Sequence, residues 1–135
     1  MKTPGEYSIV LRRAAARMDE ELEAVVVATL RRAREIAHDK VGVYQRGWPE
    51  LAASTVDSKG DDLPLWDTGL LRESFYVDIE NPRKGILGST RREIVYSEYG
   101  TSTEPPRPLL KESVREAMRE TGIARMRFVL TRALR

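Results

Sequence analysis

Apolar residues, with one threonine among them, recur at Leu11, Ala15, Met18, Leu22, Val25, Thr29, Ala33 and Ile36. Steps of three and four lay a single stripe along a helix. Arg12, Arg13, Arg17, Glu20, Glu21, Arg31, Arg32 and Glu35 mostly take the other sides. Arg17 with Glu21 and Arg31 with Glu35 have the spacing of helical ion pairs. Thr3 and Glu6 have capping-box spacing, and Pro4 fits the first turn. The pattern predicts one helix from the N-terminus to about His38, ending before Val41-Gly42. Such a helix is about 50 Å long, whereas a compact domain of this size has a radius of gyration of roughly 14 Å. A helix that outreaches its own domain needs a partner. Val25-Val26-Val27 widens the stripe, as if both sides of the helix were covered.

The middle of the chain is less regular. Pro49, after Trp48, predicts a short helix running to about Asp57. Ser58-Lys59-Gly60-Asp61-Asp62 reads as a polar loop, and Leu63-Pro64-Leu65-Trp66 as extended chain. Asp67 is placed to cap a short helical turn through Glu73. Phe75 to Glu80 alternates with Phe75, Val77 and Ile79 on one face, Asn81 to Gly85 is a turn, and Ile86 to Ser89 is the returning strand. Ile94-Val95-Tyr96 fits either a third strand or a short helix. Residues 101–108 hold three prolines and predict a rigid loop. Leu110, Val114, Ala117, Met118 and Thr121 form a second helical stripe, Gly122 is a helix-stop signal, and Ile123, Met126, Leu130 and Ala133 form a third stripe. The expected fold is α+β: a long N-terminal helix, a small antiparallel β-sheet and C-terminal helices. One domain is expected over residues 1–135, with the long helix in 1–40, short helices and sheet in 41–104, and a basic helical segment in 105–135.

Charge changes this picture. The formal net charge is +2, but residues 41–104 carry 7 Lys/Arg against 11 Asp/Glu, and residues 105–135 carry 8 against 3. An acidic middle and a basic end on one small chain suggest head-to-tail contact between copies, or a basic end facing an anionic partner. The chain has no cysteine, which excludes disulfides, thiolate metal sites and cysteine catalysis. Its single histidine, His38, excludes a multi-histidine metal site. No apolar run is long enough to cross a membrane, and the N-terminus has no apolar signal segment, so a cytoplasmic protein without membrane contact is expected.

Candidate chemistry is sparse. Asp61 and Asp62 are adjacent, so their side chains diverge in an extended loop, and with Asp57 they lack the ligand spacing of a calcium loop. Gly85 to Ser89 has glycines but no following Gly-Lys-Ser/Thr, and reads as part of a hairpin. No cofactor, metal or catalytic group is expected. Arg125, Arg127, Arg132 and Arg135 form a basic C-terminal patch that would attract phosphate, which keeps a small DNA-binding protein as the alternative reading. The modest net charge and the absence of a helix-turn-helix pattern weigh against it.

Three stretches stand out together. Gly47-Trp48-Pro49-Glu50-Leu51 is followed by Thr55 and Lys59. Leu65-Trp66-Asp67-Thr68-Gly69-Leu70-Leu71-Arg72-Glu73-Ser74-Phe75 comes next. Tyr96-Ser97-Glu98-Tyr99-Gly100-Thr101 then precedes Pro105-Pro106-Arg107-Pro108-Leu109-Leu110. In this order they resemble the tail-completion or virion-morphogenesis proteins of tailed bacteriophages and prophages, over residues 42–118. The resemblance implies a small α+β structural protein, not an enzyme, that acts at the head–tail joint or the end of the tail tube. It implies other tail or connector proteins as partners, a homo-oligomeric ring, and a place in the virion, reached from the host cytoplasm. The residues also have local physical roles. Trp48 and Leu51 would stand one helical turn apart, Arg72 offers a forked donor to a carboxylate, Gly100-Thr101 permits a sharp turn, and Pro105, Pro106 and Pro108 hold the chain extended ahead of Leu109 and Leu110.

Overall fold

The computed structural model describes residues 3–133. Helix α1 spans Pro4–Lys40, a length of about 55 Å. Its start is the predicted capping box: the Thr3 N–H donates to the Glu6 carboxylate at 2.5 Å, and the Glu6 N–H to Thr3 Oγ1 at 3.4 Å. It stops at Val41, where Gly42 turns with φ +85 and its N–H donates to the Pro64 carbonyl at 2.8 Å. After it come α2 (Ala53–Lys59), β1 (Phe75–Asn81), β2 (Lys84–Ser89), α3 (Glu93–Tyr99), α4 (Leu110–Ala117) and α5 (Ile123–Ala133). The architecture is α+β, with one two-stranded antiparallel sheet.

The stripe on α1 explains the packing. From Val25 onward it is buried under the rest of the chain, with Ala33 and Ala37 fully enclosed. Ala37 and Val41 meet Phe75, Ile94 and Leu109 in the main core, closed by Trp48, Leu65, Trp66 and Leu71. Ala33 and Ile36 pack on Ala117 of α4. The hairpin lies on the same helix in the expected alternation, with Phe75 paired to Ser89, Val77 to Leu87 and Ile79 to Gly85, and a bulge before Asn81. N-terminal to Val25 the cover thins, with Met18 and Leu22 half-buried. Residues 12–17 are exposed all round, the three alanines Ala14, Ala15 and Ala16 included. The side chain of Leu11 lies outside the described residues.

Several expectations are corrected. The segment after Trp48 has no regular secondary structure as far as Ala52, so no helix starts at Pro49 and Trp48 and Leu51 are not a helical turn apart. The reason is nonlocal: the Arg107 side chain takes the carbonyls of Pro49 and Glu50, oxygens that a helix would need for its own ladder. Asp67 caps nothing, because the helical turn is a 3₁₀ turn over Arg72–Ser74; the Thr68 hydroxyl instead accepts the Leu70 N–H at 3.5 Å. Residues 94–96 belong to α3, not to a third strand. Gly122 does not end the helix. It closes a wide π-turn, Met118–Gly122, between α4 and α5, and a Cβ there would stand 3.1 Å from Thr29 Oγ1 of α1. The glycine lets the helices approach closely while the chain continues helical.

The expected i,i+4 pairs on α1 do not form either. Glu21 accepts from Arg132 of α5 at 3.2 Å, and Glu35 from Arg32 at 3.2 Å. Arg32 also reaches Glu120 at 2.8 Å, tying α1 to the π-turn. The hydrogen bond from Arg32 lowers the Glu120 pKa below its usual 4.5. A carboxylate with a depressed folded pKa contributes stability above its unfolded pKa and loses it as pH falls through the folded value. Denaturation of Glu120→Gln and the parent across a pH series should therefore give a stability difference at neutral pH that shrinks as the pH falls below 4.5. A difference constant with pH would mean that the pair contributes through shape alone.

Candidate functional site

The motif residues converge at the end of the body where α1 stops, and many of them hold the fold. Arg107 is 8% exposed. Its Nη2 donates to the carbonyls of Pro49 at 2.8 Å and Glu50 at 3.0 Å, its Nε donates to Pro49 at 3.0 Å, and its own N–H donates to the Ser97 carbonyl at 2.7 Å. Beside it, Trp48 Nε1–H donates to the Pro108 carbonyl at 3.3 Å. Leu51 gives its N–H to the Tyr44 hydroxyl at 3.0 Å. Thr55 stands half-buried in α2, and Lys59 closes the following loop by donating to the Leu63 carbonyl at 2.7 Å.

The second stretch wraps Trp66. Gly69 has φ +83 and lies against the indole, where a Cβ would be 3.1 Å from the ring. The Arg72 guanidinium lies 5.9 Å over the same ring and its Nε donates to His38 Nδ1 at 3.2 Å. Its partner is thus an imidazole and an aromatic face, not the expected carboxylate. The other ring nitrogen, His38 Nε2, faces Glu73 Oε1 at 3.4 Å. Leu71 packs into the core. Ser74 is buried and donates to the Leu71 carbonyl at 2.6 Å, with Ser89 Oγ also at 2.6 Å.

The third stretch turns at Gly100 (φ +76), whose N–H donates to the Tyr96 carbonyl at 2.8 Å. Thr101 fixes the loop through its N–H, which donates to the Glu104 carbonyl at 2.8 Å, and its hydroxyl, which accepts the Glu104 N–H at 3.0 Å. Pro106 packs on Gly100. One residue outside the expected set matters as much. Glu98 accepts the N–H of Leu109 at 2.6 Å, and that of Leu110 as well. It caps α4 from another element, because Leu109 at the cap position offers no side-chain acceptor.

Several surfaces remain for contacts outside the chain. Beside Trp66, a cleft of about 290 Å³ is lined by Asp67, Thr68, Gly69, Leu71, Glu93 and Tyr96, among others. Around it Leu70 is 53%, Tyr96 51% and Tyr99 82% exposed. The cleft also holds Glu104 and Arg91, and Arg91 pairs with Glu93 at 3.0 Å, which leaves a rim that is aromatic with a modest acidic excess. The opposite end of the body carries the basic patch on α5. Arg125 and Arg127 are exposed, and Phe128 is 64% exposed. Arg132 is taken up within the chain by Glu21 and lies 5.7 Å from the Phe128 ring. Arg135 lies outside the described residues. The stripe Ile123, Met126 and Leu130 is not core: with Val26, Leu30 and Met118 it lines an open apolar groove of about 450 Å³ between α1, the hairpin and α5. The buried contact of α5 is Val129 instead. Among the described residues no three His, Asp or Glu side chains come together as a metal set, and no helix is long and apolar enough to cross a membrane. No family model matches this chain, and neither a curated protein nor a solved structure is significantly similar to it.

Proposed function

We propose that this chain is a non-enzymatic structural protein of a tailed phage or prophage particle, which completes the tail or joins it to the head as a ring of like copies. The three stretches that resemble tail-completion proteins motivate the class. The observation that carries the mechanism is the pair of poles. The aromatic, modestly acidic rim of Leu70, Tyr96 and Tyr99 lies by the C-terminal end of α1, while Arg125, Arg127 and Phe128 lie where α5 meets Glu21. The two are about 25 Å apart along α1. Unlike patches at opposite ends make a heterologous contact, and a heterologous contact closes into a ring when its rotation closes. Tail or connector proteins would then meet the faces of that ring. The DNA-binding alternative is less favoured, because Glu21 already engages Arg132.

The test is solution mass by light scattering, followed by electron microscopy. The parent chain should give a discrete ring. Arg125→Glu with Arg127→Glu should abolish the ring, and so should Tyr96→Ala with Tyr99→Ala. Both double variants should keep the parent's stability within about 0.5 kcal/mol, as expected of exposed positions. Unchanged assembly in both would overturn the two-pole mechanism. Tight DNA binding with a steep loss on adding salt would favour the alternative.

A further inference from the structure

Helix α1 has a second face, turned away from the stripe. By helical register Arg13, Ala16, Glu20, Ala24, Val27 and Arg31 share it. Arg13, Ala16, Glu20, Ala24 and Arg31 are exposed, and Val27 is half-exposed. The face therefore runs exposed from the overhanging N-terminal turns on to the part of α1 whose other side is buried in the body, flanked by α5 at Ala24. The overhang itself is about fifteen residues, a length at which an isolated helix is marginal in water.

Charge on this helix is blocked, not mixed. Arg12, Arg13 and Arg17 stand together without an acid, and Asp19, Glu20, Glu21 and Glu23 follow without a base. Asp19 and Glu21 are used inside the chain, by Arg83 and Arg132; Glu20 and Glu23 are exposed. Such a block pattern repels a parallel copy and matches an antiparallel one. In the antiparallel register that sets Arg17 against Glu20, Arg13 falls beside Glu23 and Ala24, and Ala16 beside Glu20 and Glu21. The two-fold axis repeats each match, and the alanines leave room for close approach.

We propose that this face is the interface of a two-fold dimer in which the α1 helices of two copies pair antiparallel about the junction of the basic and acidic blocks. The partner is a second copy of this chain, and the contact is isologous. It does not rest on the particle reading; it leaves the rim at the far end of α1 free, and its Ala24 end borders Arg125 and Phe128, with which Ala24 lines one cleft. The overhang of each copy lies along the exposed side of its partner's α1, which gives the projecting turns a neighbour that they lack among the described residues.

The test is made on the Tyr96→Ala/Tyr99→Ala variant, whose changes lie on α3 away from this face, so that loss of the ring and loss of the dimer stay separate. Its mass should be twice 15.4 kDa and fall to that of one chain as salt rises or protein is diluted. Adding Arg13→Glu/Arg17→Glu, or Glu20→Arg/Glu23→Arg, should give monomers, each with the parent's circular dichroism for the body. An equimolar mixture of those two variants should restore the dimer mass, which misfolded chains could not do. The chain has no cysteine, so Arg13→Cys should cross-link to Ala24→Cys on mixing and neither to itself. A monomer at every concentration in low salt, charge variants that still dimerise, or a mixture that stays monomeric would each overturn the proposal.

Discussion

Arg107→Ala should lower the unfolding free energy by about 3 kcal/mol, and the melting temperature by about 10 °C. The side chain is almost fully buried, and its guanidinium makes three donor contacts to the carbonyls of Pro49 and Glu50. A hydrogen bond to a charged donor contributes about 1.5–3 kcal/mol, and losing the donor leaves its acceptors without a partner. The non-helical path of residues 49–52 rests on those bonds, and with it the seat of Trp48 on Pro108. Arg107→Lys should recover only part of the loss, because an ammonium cannot present a fork to two neighbouring carbonyls. Urea denaturation followed by Trp fluorescence reads this directly: the midpoint falls and the slope stays constant. An unchanged midpoint would release Arg107 from the fold and place it in contacts with other proteins.

What the sequence made legible was local. The α1 stripe, its capping box, and the alternation of Phe75, Val77 and Ile79 each depend on residues a few positions apart, and each is found as expected. What it hid depends on partners far along the chain. Pro49 carries a genuine helix-start signal, but Arg107 removes the carbonyls the helix would use. Arg72 looks like a carboxylate partner until α1 brings His38 beside it. Gly122 signals a stop, yet its small size serves the approach of Thr29. Glu98 could have been found: α4 begins after three prolines with no Ser, Thr, Asp or Asn at its cap, so its free N–H groups needed an acceptor from elsewhere. The candidate site divides in the same way. The buried motif residues Arg107 and Ser74 and the half-buried Pro108 serve packing and hydrogen bonding, while Tyr96 and Asp67, on the same stretches, line a cleft that faces outward.

Gly100→Ala should cost about as much as losing Arg107, roughly 3 kcal/mol. The backbone here has φ 76 and ψ 173, a region open to glycine and closed to side chains with a Cβ. Added to that strain is a collision. A Cβ would stand 2.9 Å from the Pro106 nitrogen and 3.0 Å from the Glu104 carbonyl oxygen. Both are backbone atoms, so no side chain can swing aside to relieve them. Moving that backbone breaks the bond from the Arg107 N–H to the Ser97 carbonyl and pulls Leu109 and Leu110 away from Glu98. Asparagine should not rescue the position, since it tolerates the left-handed helical well, and ψ here lies far from it. Because Gly100 and Arg107 act on one loop, the double variant should lose less than the two single losses added together. Amide exchange gives the local readout: protection at Leu109 and Leu110 should fall in Gly100→Ala, while that of the α1 residues buried under the hairpin should fall only with global stability. An alanine variant with full stability and full protection at both amides would mean that the loop moves freely, and that Gly100 serves a contact beyond its own chain.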